Sequence, residues 1–213
     1  MLPISIPSNK KLAGIPSFSL PVGSTCPGKT QHCKKYCYAK KGNFRFRDVK
    51  LSHRRNMAAV KRVDFVDRIT KAITKSGAKE FRLHPAGDFF AAWYVRKWIQ
   101  IVKQCPSVQF WAYTRSWRVK SLRPALTALG SLPNMRLWLS CDVCNTHRPS
   151  MNFPIAYVQS NDDESVPSWA DLVFRVRRTT ISRLPGQKVC PAEDGRKRTT
   201  KPTCVSCKYC LRN

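Results

Sequence analysis

The chain has 213 residues with an ordinary apolar share of 42 %, enough to bury a core, so neither a disordered chain nor a membrane protein is expected. Lys and Arg number 39 against 12 acids, and the formal charge of +27 repels itself and calls for a polyanionic partner. Nucleic acid is the expected partner, because neutralised phosphates release counterions and the ten cysteines, even all ionised, cannot cancel the excess.

The first residues, MLPISIPSNKKLAG, lack the charged lead and apolar run of a secretory signal, so a cytoplasmic protein is expected. Ile15 to Pro21 alternates as a short strand, and a cysteine-rich loop follows from Gly23 to Gly42. Residues 51–75 read as one long helix with an apolar stripe of Val60, Phe65, Val66, Ile69, Ala72 and Ile73, closed by Ser76-Gly77. Glu80 to Leu83 is a strand running into the turn HPAGDF. A helix over 90–104 follows, built around Tyr94, Val95, Trp98, Ile101 and Val102. The apolar run from Phe89 to Val102 is broken by Arg96 and Lys97 and is too short to span a bilayer. No amphipathic anchor to an anionic membrane is visible either, so no membrane contact is expected.

Three strands come next in this pattern, Val108 to Tyr113, Met135 to Leu139 and Ile155 to Val158, with a helix over 121–129 between the first two. Leu172 to Val176 is the last strand. Strands alternating with helices predict an α/β fold with a parallel sheet and right-handed crossovers. Six strands in this length predict an incomplete parallel (β/α) barrel over residues 1–180. From about Ile181 the periodicity ends, and residues 181–213 read as a small basic, cysteine-rich metal module.

Ligand sites of parallel sheets lie at the carboxyl ends of the strands. There the chain places the cysteine loop, His84 and Asp88, Thr114 and Arg115, Ser140 and Asp142, Ser160 and Asn161, and Arg177 and Arg178. In the loop, Cys26, Cys33 and Cys37 fall within twelve residues, close enough to converge on one centre and leave its fourth position open. His32 is a candidate fourth ligand if the metal is zinc.

The second set is Cys190, followed by Pro191, with Cys204, Cys207 and Cys210. Its C-x2-C-x2-C run resembles the ligand runs of ferredoxins, and the four thiolates form a complete set for a [4Fe–4S] cluster. Zinc, which accepts the same spacing, is the alternative in this C-terminal site. Cys141 and Cys144 form a third C-x-x-C pair, and Cys105, before Pro106, reads as a buried thiol.

For phosphate contact the candidates are Lys34, Lys35, Arg54, Arg55, Arg177, Arg178, Arg196, Lys197 and Arg198. They stand among fifteen Lys or Arg between Lys29 and Lys75 and eleven after Phe174. Tyr36, Tyr38, Phe44, Phe46, Trp111, Trp117 and Trp138 are interleaved as stacking candidates, with core packing expected for most of the tryptophans. A weaker reading gives His84, Asp88, Asp142 and Asp162 to a divalent ion of a nuclease. No P-loop, dinucleotide fingerprint or hydrolase serine motif is present.

The run from Asn9 to Gly42, with its S-F-S-L-P-V-G-S-T-C-P and C-K-K-Y-C-Y-A-K-K-G segments, resembles the phage gene product 88 family. So do R-L-H-P-A-G-D-F at 82–89, Y-T-R-S at 113–116 and the C-P-A…C-x2-C-x2-C ending. More distantly, a strand, a three-cysteine loop and a partial barrel are similar to the radical S-adenosylmethionine superfamily. That resemblance implies a [4Fe–4S] cluster on Cys26, Cys33 and Cys37 that binds the amino-acid part of S-adenosylmethionine. It implies further cofactor contacts from Ala86, Gly87 and Asp88, the last receiving an ammonium, and from Ser140 or Asp142 to a ribose. The spacing departs from that superfamily, C-x6-C-x3-C standing where C-x3-C-x2-C is usual. The expected function is that of an iron–sulfur protein gripping nucleic acid. The alternatives are a radical enzyme acting on nucleic acid or protein and a zinc-stabilised nucleic-acid-binding, nuclease or replication protein.

Overall fold

A computed structural model of the chain describes residues 4–161, 163–176, 188–192 and 202–211. The fold is α/β. Six strands, β1 (Ser17–Phe18), β2 (Glu80–Leu83), β3 (Gln109–Thr114), β4 (Met135–Asp142), β5 (Ile155–Gln159) and β6 (Leu172–Arg175), form one sheet in sequential order, every neighbour parallel. The helices are α1 (Gln31–Tyr36), α2 (Arg47–Val60), α3 (Phe65–Lys75), α4 (Ala92–Gln104), α5 (Arg123–Gly130) and α6 (Cys204–Cys207). Among the described residues no helix is long and apolar enough to cross a membrane.

The expected strands are all present. β1 is shorter than its alternating pattern, because only Ser17 and Phe18 pair with β2. Beyond it Leu20 N donates to Ala86 O, in the loop after β2, at 2.9 Å.

The long helix over 51–75 is a correction: it is two helices, α2 and α3. Val60 and Phe65 are both fully buried but stand five residues apart, which at about 100° per residue puts them about 140° out of phase on one helix. A break at 61–64 re-phases the stripe and leaves Val63 98 % exposed. Arg62 clasps Asp64 through two hydrogen bonds of 2.8 and 3.0 Å, and Arg68 N donates to Asp64 O, starting α3. Lys97 of α4 donates to Val60 O and Arg62 O at 2.8 and 2.7 Å, satisfying carbonyls that the end of α2 leaves open.

Both faces of the sheet are buried, as parallel sheets require. On one face Phe81, Leu83, Phe110, Ala112, Leu137 and Leu139 meet the apolar sides of α2 to α5. Trp98 sits at the centre of that layer, edge-on to Phe18, Phe65 and Tyr94 at centroid distances of 5.4, 6.1 and 6.4 Å.

The opposite face carries Trp111, Tyr113 and Trp138 and is covered by Leu12, Ile15 and the C-terminal residues. Cys190 N donates to Val173 O and Val173 N to Lys188 O, at 2.8 and 2.7 Å, laying residues 188–190 beside β6. Cys204 N donates to Lys11 O at 2.8 Å, Trp138 Nε1 to Cys210 O at 3.0 Å, and Lys208 pairs with Glu80 at 2.8 Å. The described C-terminal residues therefore lie against the sheet. Asp162, Arg177, Arg178, Arg196, Lys197 and Arg198 lie outside the described residues.

Trp98→Ala is expected to cost about 3–5 kcal/mol, since it empties the middle of the aromatic layer. Val63→Ala is expected to stay within about 0.5 kcal/mol. Urea denaturation of the two variants measures the difference, and equal losses would contradict the two-helix arrangement.

Candidate metal centres

The three-cysteine loop is fastened to the carboxyl ends of β2, β3 and β4 at three points. Thr30 caps α1, accepting from Cys33 N at 2.9 Å while its hydroxyl donates to Asp142 Oδ2 at 2.6 Å. Gly28 lies so close to the strand end that a Cβ would stand 1.9 Å from Arg115 O. Gly87, at φ +80°, approaches from below, where a Cβ would meet Leu20 Cβ at 2.6 Å and Thr25 Oγ1 at 2.7 Å. Only glycine fits either contact, and at Gly87 the backbone angle demands it as well.

Arg115 joins the two acids under the loop. Its Nη1 donates to Asp142 Oδ2 at 2.5 Å and its backbone N to Asp88 Oδ2 at 2.8 Å. Asp88 also accepts from Thr114 Oγ1 and Phe89 N, at 2.6 and 2.7 Å, and Asp142 Oδ1 accepts from Cys144 N at 3.0 Å.

The two acids diverge in acidity. Burial pushes the Asp88 carboxyl above the usual range, and its hydrogen bonds only partly oppose the shift. Burial also raises Asp142, but the Arg115 guanidinium and the Thr30 hydroxyl outweigh it and hold that carboxyl low. Both sequence-identified acids are present at the site with their oxygens already taken by protein donors.

Cys26, Cys33 and Cys37 are each partly buried. Burial, then Asp88, then the neighbouring Cys33 and Cys37 push the Cys26 thiol up to about 11. Burial raises Cys33 too, against the pull of Arg115, with Cys37, Asp142 and Asp88 adding to the rise. The loop thus gathers its three thiols within electrostatic reach of one another and of the Asp88–Arg115–Asp142 group. His32, buried beside Tyr36, keeps an Nε2 without a hydrogen-bond partner among the described residues.

The other four cysteines meet on the opposite sheet face. Cys190, Cys204, Cys207 and Cys210 all line one crevice of about 520 Å³, part of it open to solvent. Arg82, Lys11 and Lys208 line the same crevice. Arg82 Nε is buried without a hydrogen-bond partner among the described residues, and its guanidinium stacks at 4.9 Å on Tyr113. Burial raises the Cys210 thiol, with Tyr113 and Arg82 pulling the other way. Among the described residues, which include all ten cysteines, no disulfide forms, and no three His, Cys, Asp or Glu side chains stand in coordinating geometry. In donor chemistry the set suits a thiolate-bound metal: four sulfurs, cations that would offset the charge of thiolates, and a buried N–H without a partner among the described residues.

Other expected site residues separate from these centres. His84, in the left-handed region at φ +52°, turns into the aromatic layer, where Nε2 bonds Tyr94 Oη at 2.8 Å. Burial and then Arg82 push His84 down to about 3, so it stays neutral there. Ala86 is buried and holds Leu20 through its carbonyl, while Ser140 O accepts from Trp117 Nε1 at 3.1 Å. Cys141 is buried and raised to about 12, first by burial, whereas Cys144 is exposed. Cys105 is the buried thiol expected. Lys34, Lys35, Arg54 and Arg55 are exposed. Trp111, Trp117 and Trp138 are core residues, but Tyr38 and Phe46 are exposed.

The family model for "Gene product 88" matches residues 5–213. The chain belongs to that family. Among curated proteins, this gene product 88 member is 33 % identical over 144 residues to the Gene 88 protein of Mycobacterium phage L5 and 34 % identical over 145 residues to that of Mycobacterium phage D29. Each match covers 61 % of this chain and 58 % of the relative, so the chain spans little more than half the length of either. No solved structure matches.

Sequence reading missed Thr30 and Gly28 as loop fasteners in this gene product 88 chain. The Thr30–Cys33 spacing, a helix-cap pattern, was the available signal for the first.

Asp142→Ala is expected to destabilise by about 3–5 kcal/mol, because it leaves the Arg115 guanidinium buried and unpaired. Gly28→Ala is expected to lift the loop and speed thiol labelling at Cys26 and Cys33. Thermal melts and timed alkylation read the two effects, and wild-type labelling in Gly28→Ala would contradict the fastened loop.

Proposed function

We propose that this gene product 88 protein is a cytoplasmic iron–sulfur protein that grips nucleic acid through its basic surface. The observation that carries the iron–sulfur reading is the gathering of Cys190, Cys204, Cys207 and Cys210 in one crevice beside the unpaired Nε of Arg82. The four thiols would hold a [4Fe–4S] cluster, with Arg82, Lys11 and Lys208 offsetting its charge. Zinc on the same thiols is the alternative there.

Cys26, Cys33 and Cys37 are the second, three-thiolate centre. Three ligands leave one position of a cluster open, and such a centre, when bound, supplies electrons to a molecule docked there. What supports this reading is the way the loop is held: Thr30 and Gly28 fasten it to the strand ends, and the Arg115–Asp142 pair ties those ends together beneath it.

The partial-barrel, radical-S-adenosylmethionine reading draws on the sequential parallel sheet with this loop over its carboxyl edge. It makes the protein an enzyme acting on nucleic acid or protein. Against it, Asp88 and Asp142 are both buried and every one of their carboxylate oxygens already accepts from a protein donor, so a cofactor's ammonium or ribose would have to share them with those donors. Binding without cofactor cleavage is the reading adopted.

Paramagnetic resonance of anaerobically isolated, reduced protein tests it. A cluster signal is expected, its Cys26/Cys33/Cys37 component unchanged by S-adenosylmethionine, with no cleavage of that molecule. A shifted signal together with cleavage would replace this reading with the enzymatic one. The raised thiols of Cys26, Cys33 and Cys210 must lose protons to ligate, so reconstitution is expected to strengthen from about pH 6 to about pH 9. Uptake indifferent to pH over that range would contradict thiolate ligation.

A further inference from the structure

The start of α2 is built unlike an ordinary helix start. Its cap position, which favours Ser, Thr, Asp or Asn, is held by Phe46, whose side chain makes no capping bond and is 62 % exposed. The flanking Arg45 and Arg47, with Lys50, Leu51 and Arg54, line a solvent-open cleft of about 630 Å³. No carboxylate among the described residues pairs with any of these four cations, although Asp48 lies in the same turn. Between residues 34 and 55 the chain carries nine Lys or Arg and one acid.

A second exposed aromatic stands nearby. Tyr38 is 58 % exposed, its hydroxyl donates to Pro85 O, and its ring meets Phe44 edge-on at 5.7 Å. Phe44 in turn contacts His53 of α2 at 6.2 Å, which ties Tyr38 to the helix that forms the cleft. Tyr38 directly follows Cys37, so the patch adjoins the three-cysteine loop.

We infer that this cleft seats a single-stranded nucleic acid, its phosphates on Arg45, Arg47, Lys50 and Arg54 and its unpaired bases stacked on Phe46 and Tyr38. The inference deepens the nucleic-acid reading above and rests on it. Unpaired cations around a cleft match a phosphate backbone, and the field at a helix N-terminus adds to their attraction for anions. The aromatics decide between strand forms. A ring face offers nothing to a base paired inside a duplex, whereas every unpaired base has a face to stack. Exposed aromatics amid unpaired cations are the arrangement of a single-strand track.

Fluorescence anisotropy with the full chain tests this against a thymidine oligonucleotide, a uridine oligonucleotide and a duplex of equal length. Both single strands are expected to bind more tightly than the duplex, with affinity falling as salt rises. Phe46→Ser is expected to weaken single-strand binding roughly ten-fold and leave duplex binding unchanged. Arg47→Ala combined with Arg54→Ala is expected to flatten the log–log salt slope by roughly 0.7 for each phosphate no longer neutralised. All three positions are exposed, and matching thermal melts confirm that the variants fold.

Salt-sensitive wild-type binding that prefers duplex, or that survives unchanged in both variants, would overturn the cleft while leaving the nucleic-acid reading intact. Absence of salt-sensitive binding to all three probes would overturn that reading as well.

Discussion

The buried contact between Arg115 and Asp142 organises the carboxyl edge of this sheet. Arg115 follows β3 and Asp142 ends β4, so their 2.5 Å contact ties two neighbouring strand ends. The same arginine's backbone reaches Asp88 beyond β2, and the same aspartate receives the Thr30 hydroxyl from the three-cysteine loop. A buried charge is costly unless it is paired and fully hydrogen-bonded, so each member fixes where the others must stand. In a chain with 39 basic residues and 12 acids, a buried carboxylate is scarce, and two are used here. Their placement gives the cysteine loop a rigid seat that the short strand β1 does not provide.

The other face of the sheet solves a related charge problem. Helices cover one side, and the opposite side carries Arg82 and Arg136 among Trp111, Tyr113 and Trp138, with the guanidinium groups over the rings. Arg82 lies under the C-terminal cysteines. Burial penalises its charge, yet its guanidinium stays raised because the Tyr38 and Tyr113 hydroxyls and the thiols of Cys204 and Cys210 favour the cation. Thiolates carrying a metal would strengthen that balance. The sheet's Arg82 thus lies against the C-terminal cysteines, and the covering segment buries a face that would otherwise expose aromatics to water.

Much of the architecture was legible in the sequence because both of its periodicities were clean. The strands from Glu80 onward stand out as short, largely buried apolar runs, of which only β2 alternates, and helix α4 repeats its buried residues at helical spacing. The break between α2 and α3 was hidden by reading Val60 and Phe65 as one stripe, although their five-residue step does not fit a single helix. At the site, Asp88 and Asp142 were recognisable from their position after strands. Their role as occupied anchors was not, because Arg115 and Thr30 reach them from 27 and 112 residues away in the chain. Gly28 was equally hidden, since a close approach to Arg115 O leaves no local mark beyond a glycine in a loop. The split of the aromatics was foreseeable in part: Trp111, Trp117 and Trp138 are core, and Phe46, beside cations at the start of α2, is not.

If the two cysteine sets hold iron–sulfur centres, quantifying iron, acid-labile sulfide and zinc in protein purified without oxygen shows it most directly. Iron and sulfide are expected in near-equal amounts, falling but not vanishing when Cys207 is replaced by serine. Zinc without acid-labile sulfide would contradict the iron–sulfur assignment.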